Sequence, residues 1–184
     1  MLLHTKKIGA LVRCFARESG LVNNAVELAL ASVERMLSVK IHGQNFVSRI
    51  EILVPVDPDY DERDCSETAA KLREAIAKRQ WKGVFVSEVR HGDIFVGLLN
   101  YGMAKLLRSG CDYGVILSKE AESYFTLEAA EDFIGAAESG ALVAGLAINE
   151  LTESIMQGRI ANTFSMWHLM SLVQVCCLYL KKKK

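Results

Sequence analysis

The sequence is poor in the residues that stiffen or staple a chain, and it has no excess of either charge. Of its 184 residues only two are prolines, Pro55 and Pro58, both in one short stretch, which excludes proline-rich linkers and low-complexity spacers. The 22 lysines and arginines are balanced by 22 acidic residues, so the bulk cationic surface that a nucleic-acid binder needs for counterion release is missing. The five cysteines, Cys14, Cys65, Cys111, Cys176 and Cys177, are odd in number and contain no CxxC pair. They form neither a disulfide framework nor a zinc site, and the expected compartment is the reducing cytosol. Leu2 and Leu3 start an apolar stretch that Lys6, Lys7 and Arg13 interrupt, so no secretory signal is expected. A glycine-rich phosphate loop (GxGxxG, GKS or GKT) and a GxSxG nucleophile elbow are also missing.

Against these absences stands a globular composition, 51% apolar and 24% charged, in a chain long enough for one domain with a real core. Five apolar runs read as strands: Ile8–Phe15, Ile50–Val56, Gly83–Val89, Tyr113–Ser118 and Ala141–Ile148. Several are continuous instead of alternating, as in strands covered on both faces. Helical spacing fills the gaps at Leu21–Lys40, Ser66–Lys78, Asp93–Arg108 and Thr126–Glu138. Ser66 and Thr126 are the expected caps, and Gly110 and Gly140 the expected stops. The alternation predicts an α/β, three-layer α/β/α fold with a mainly parallel, Rossmann-like sheet, as one domain over residues 1–175. No internal repeat is present.

Ligands of such sheets bind at the carboxyl ends of the strands, near the point where strand order reverses. After the first strand come Arg13, Phe15, Arg17 and Glu18; after the second come Asp57, Asp59 and Asp61 around Pro58. Three carboxylates in five residues repel one another, so the cluster reads either as a turn or as a site for a cation, sugar hydroxyls or the N–H edge of a base. The third strand is followed by His91, read as a surface residue, and by a helix bearing Asn100 and the glycines Gly97 and Gly102. Glycine in a helix costs about 1 kcal/mol, which points to close approach of either a ligand or the sheet. After the fourth strand, Ser118-Lys119-Glu120-Ala121-Glu122 places two carboxylates where a divalent metal or the helix dipole would use them.

With these residues the chain resembles the family 2 glycosyltransferases of the GT-A, nucleotide-diphospho-sugar transferase fold. Arg13-Cys14-Phe15-Ala16-Arg17-Glu18 stands where the family has P-x-Tyr-Asn-x-Glu, and keeps the aromatic and the glutamate. The segment from Glu51 to Asp61 follows the family's D-D-G-S-x-D, with Val56 for the first Asp and Asp57 and Asp61 kept. Asn100-Tyr101-Gly102 matches N-x-G, and Ser118-Lys119-Glu120 falls on the metal-binding D-x-D. The resemblance implies a UDP- or GDP-sugar donor, with Arg13, Phe15, Glu18, Asp57, Asp59 and Asp61 at the nucleotide. It implies Asn100, Ser118, Lys119 and Glu120 at the diphosphate and donor sugar, with Glu120 as the remaining ligand for Mn²⁺ or Mg²⁺. Arg159, Asn162 and Trp167 would line the acceptor side. The activity it implies is transfer of the sugar to an acceptor hydroxyl. The D-x-D pair and the family's later catalytic base have no counterpart, so two alternatives stand beside it: an inactive nucleotide- or sugar-binding module, and a Rossmann-like interaction scaffold.

Phe164–Leu180 is a run of 17 mostly apolar residues followed by four lysines, Lys181–Lys184. As a helix it rises about 25 Å, against about 30 Å for a bilayer core, so a core-facing helix through Val173 is expected instead of a membrane anchor. Left unpacked, the run would favour self-association. Residues 176–184 do not continue the domain's pattern, and a truncated or shifted reading frame is the expectation that accounts for them and for the missing base.

Overall fold

The computed structural model describes residues 6–16, 19–57, 65–90, 96–117, 123–147 and 160–173. Strand β1 (Ile8–Arg13) leads through a 3₁₀ turn (Ser19–Leu21) into helix α1 (Val22–Ser38). A small hairpin, β2 (Lys40–Ile41) and β3 (Gln44–Asn45), precedes β4 (Arg49–Pro55), α2 (Ser66–Arg79) and β5 (Val84–Val89). Then come α3 (Val96–Arg108), β6 (Tyr113–Leu117), α4 (Leu127–Glu138), β7 (Val143–Ala147) and β8 (Ile160–His168), and residues 169–173 are helical. The five expected strands and four expected helices therefore form, with ends that differ by one or two residues where they are described; the expected end residues 93–95, 118 and 148 lie outside the described residues. Thr126 caps α4 through its hydroxyl, which accepts from the Ala129 N–H at 3.1 Å, and Gly110 and Gly140 follow α3 and α4 with φ of +79° and +85°. Ser66 differs from expectation: it is the first helical residue of α2, and Cys65 occupies the cap position without a side-chain cap bond.

Six strands form one sheet in the order β5-β4-β1-β6-β8-β7. β1, β4, β5 and β6 pair in parallel, while β8 runs antiparallel to both its neighbours, β6 and β7. The helix expected over Phe164–Val173 is thus a strand as far as His168. Its apolar content is so high that period 3.6 and period 2 fit equally well. In the sheet Phe164 and Met166 point to one face, and Ser165 and Trp167 to the other. The His168 ring then caps the short helix: its Nδ1 lies 2.7 Å from the Ser171 hydroxyl and accepts from the Ser171 N–H at 3.4 Å.

Two apolar layers sandwich the sheet. Helices α1, α2 and α4 cover one face with Val26, Leu30, Val33, Leu72 and Phe133, against Ile8, Val12, Ile52 and Val115. Helix α3 covers the other with Leu98, Met103 and Leu106, against Leu11, Leu53 and Ile116. The crossovers through α1 and α2 move one way across the sheet, and the crossover through α3 moves back on the opposite face, so all three share one hand. The crossover from β6 to β7 continues in the direction of α3, yet α4 lies on the α1 face. It therefore has the opposite hand, an exception to a strong rule, and β8 fills the gap it spans. Among the described residues, the 169–173 segment lies with α3 on the other face. Among the described residues no helix is long and apolar enough to cross a membrane.

Candidate functional site

Strand order reverses between β1 and β6: the chain leaves β1 toward β4 and leaves β6 toward β7, opening the carboxyl edge of the sheet between them. Cys14 prolongs β1 by donating its N–H to Leu53 O at 3.0 Å, and its thiol reaches Ala25 O of α1 at 3.4 Å. Cys65 ties the start of α2 to the same edge. Its N–H bonds Pro55 O at 3.0 Å at the end of β4, and its Sγ reaches Ala16 O at 3.3 Å after β1. The N-terminal amides of a 14-residue helix are thereby stitched to the ends of two strands, the arrangement that favours an anionic group.

Of the expected nucleotide residues, the structure brings Arg13, Phe15 and Asp57 to this edge. Arg13 ends β1 half-buried, and Phe15 packs against the larger apolar layer. Asp57 follows β4 and is only 4% exposed. Glu18, Asp59, Asp61, Ser118, Lys119, Glu120 and Arg159 lie outside the described residues. Asn162 belongs to β8 two residues before Phe164, which pairs with Leu117 at the carboxyl end of β6, so its backbone is at the right edge.

Trp167 and Asn100 are placed elsewhere. Because β8 is antiparallel, Trp167 pairs with Gly114 near the start of β6, at the opposite edge from the carboxyl ends. There its indole N–H donates to Ser165 Oγ at 2.8 Å. Asn100 is exposed on the flank of α3, along a groove of about 220 Å³ shared with Met103, Leu107, Leu169 and Val173. Gly102 answers a packing need: a Cβ there would lie 2.7 Å from Leu53 and 2.8 Å from Leu11, so it is the sheet that approaches closely.

Two features were not anticipated. Thr68, in the first turn of α2, is fully buried, and its hydroxyl has no hydrogen-bond partner among the described residues. Glu51 is fully buried on the α3 side of β4. One of its oxygens pairs with Arg49 at 2.6 Å; the other accepts from Ser87 Oγ at 2.6 Å and lies 3.2 Å from Lys105 Nζ. The legible signal was a single charge inside the apolar run Ile50–Val56, with Arg49 two residues earlier on the same face. This cluster sits toward the amino end of β4, away from the carboxyl edge, and fastens α3 to the sheet.

Among the described residues no group of three metal-ligating side chains occurs; at the carboxyl edge they supply Asp57, Glu67 in the first turn of α2, and Glu88 near the end of β5. No protein-family model and no curated protein matches the sequence. Among solved structures the chain is similar to a 4-diphosphocytidyl-2C-methyl-D-erythritol synthase from Anaerococcus prevotii, at 9% identity and a TM-score of 0.49, over 96% of this chain and 77% of that one.

Proposed function

We propose that the carboxyl edge between β1, β4 and α2 binds a nucleoside diphosphate sugar, and that the chain belongs functionally with nucleotide-binding transferases. The observation that carries this reading is Asp57, a buried carboxylate at the carboxyl end of β4, one strand from the point of reversal and two residues past the Pro55 carbonyl that holds the start of α2. The division of labour follows from charge. Arg13 and the first-turn amides of α2 attract the diphosphate, Asp57 accepts from the N–H edge of the base or a ribose hydroxyl, and Phe15 offers an apolar wall. The reaction class is displacement at the anomeric carbon: the acceptor oxygen forms the new bond, loses its proton to a base, and the nucleoside diphosphate departs with the bonding pair.

A thermal-shift titration with UDP, GDP, CDP and their sugars tests the site, each with Mn²⁺, with Mg²⁺ and with chelator. A nucleotide at 100 times its dissociation constant stabilises by about 2.7 kcal/mol, a readable shift. We expect one base to shift the transition and Asp57→Asn to weaken that nucleotide about tenfold, the loss of one charge-assisted bond. A clean transition unmoved by every nucleotide overturns the reading and leaves an interaction scaffold. Dependence of the shift on metal would assign Glu120 a cation. A second reading, binding without turnover, follows from the sequence, which has no counterpart of the D-x-D pair or the later base; nucleotide binding with neither sugar transfer nor donor hydrolysis would establish it.

A further inference from the structure

The helical residues 169–173 open a contact with α3. Leu169 is 1% exposed, and a Cβ on Gly114 would meet Met103 and Leu169 together, at 2.6 and 3.1 Å. Leu169, Leu172 and Val173 form one wall of the groove of about 220 Å³ whose other wall is α3. Asn100 and Ala104 are exposed along it, and Val173 keeps 40% of its surface.

The direction of this contact follows from the sheet. β8 ends where His168 pairs with Tyr113, the first residue of β6, and Leu169 donates its N–H to Asp112 O at 2.9 Å. Helix α3 ends at Arg108, four residues before Asp112, on the same edge. Since Leu169 and Leu172 pack with α3 over the sheet, the helical turn doubles back and runs antiparallel to α3. The sequence beyond Val173 keeps the spacing that such a pair needs. Leu169, Leu172, Val173, Cys176, Cys177 and Leu180 recur at three and four residues, and Lys181–Lys184 end the stripe. On α3 the groove side carries Asn100, Met103, Ala104 and Leu107, and the same spacing puts Gly97 one turn earlier. Residues 169–180 and 96–107 match in length, about 18 Å each as helices.

We propose that the groove on α3 is filled by this chain's own residues 174–180, which continue the helix begun at Leu169 and set Cys176, Cys177 and Leu180 against α3. Covalent continuity selects this occupant. Val173 already lines the groove, so the residues that follow enter it without closing a long loop, at an effective concentration that a second molecule does not reach. The apolar run is then buried within the chain instead of in a bilayer or against a second copy.

The test is hydrogen exchange on the full chain, with Ala104→Glu as the variant. The amides of 174–180 should exchange about tenfold or more slowly than in an isolated peptide of that sequence, and dilution should not change this. Ala104→Glu sets a charge in the groove at an exposed position, so it should free those amides while 8–13 and 113–117 stay protected. Thiol labelling is a second readout: Cys176 and Cys177 should react slowly in the unaltered chain and about tenfold faster in the variant, with the buried Cys14, Cys65 and Cys111 slow in both. Free exchange of 174–180 in the unaltered chain overturns the proposal, and so does protection that Ala104→Glu leaves intact. Protection lost on dilution assigns the groove to a second copy, and protection that needs phospholipid vesicles assigns the run to a membrane; either overturns it. No nucleotide enters the test, so its result is independent of the reading of the carboxyl edge.

Discussion

A carboxylate stripped of all solvent, as Glu51 is, has to recover from the protein what it loses in hydration. Arg49, Ser87 and Lys105 supply that recovery, and Arg49 also stacks over the Phe85 ring at 4.0 Å. Arg49 and Lys105 keep 25% and 34% of their side-chain surface, so removing the acid leaves no fully buried orphan cation. The cost is accordingly below that of breaking a fully buried pair. We expect Glu51→Ala to lose about 2–3 kcal/mol and Glu51→Gln about 1–2 kcal/mol in chemical denaturation. An alanine variant as stable as the wild type would show that the cluster is ornamental. Cys111 lies near the same group. Burial is the main cause that pushes its thiol above the ordinary range, with Arg49 acting in the opposite direction. The folded thiol therefore holds its proton at a pH where the unfolded one releases it. Its contribution is intact below the unfolded thiol's pKa of about 8.5 and is lost as pH rises from there toward the raised folded value. Denaturation of wild type and Cys111→Ala at neutral and strongly alkaline pH should show the wild type's relative stability shrinking at the higher pH, and an unchanged difference would refute it.

At the scale of elements, α3 shows how a glycine is read two ways. In the sequence Gly102 completes an Asn-x-Gly pattern, and no spacing argument separates a ligand contact from a sheet contact. The structure separates them, since the would-be Cβ meets Leu11 and Leu53, both without exposure. Alanine gains about 1 kcal/mol in helix propensity but overpacks two immobile core leucines, at about 1–3 kcal/mol. We expect Gly102→Ala to be destabilising by about 1 kcal/mol and silent in nucleotide affinity; a change in affinity at constant stability would return Gly102 to the site. The strands β1, β4 and β6 were legible because two-sided burial makes them nearly continuous apolar runs with turn residues at their ends, whereas β5 shows through its valines and the Gly83 before it. β8 was not, because Phe164-Ser165-Met166-Trp167 leads without a break into Leu169 and Met170, and an apolar residue at nearly every position erases the period. The antiparallel direction of β8 is a tertiary fact with no local signature. It is also what carries Trp167 to the far edge of the sheet.

Across the whole molecule, balanced charge conceals an uneven distribution. Along the sequence the acidic block from Glu120 to Gly158 contains α4 and β7, so the rest of the chain carries the balancing positive charge. Arg13 and Arg90 follow β1 and β5 at the carboxyl edge, on the side away from that block. The segment joining β4 to α2 is itself acidic, with six carboxylates against Arg63 in residues 57–67, so a bound anion there would depend on Arg13, Arg90 and the first-turn amides of α2. This asymmetry gives the composition-level argument against nucleic acid a second meaning: a zero sum excludes a uniformly cationic surface but is compatible with one small anion site. It also fixes where the ligand should leave its mark. In hydrogen exchange with the stabilising nucleotide, protection should appear at residues 14–16 and over the first turn of α2 at 65–69, while α4 and β7 stay unchanged. Protection centred on 127–147 would place the nucleotide on the acidic side and would remove Asp57 from the site. Protection spread evenly over all elements would indicate global stabilisation without a local footprint, and then only the Asp57→Asn affinity would decide whether this edge holds the ligand.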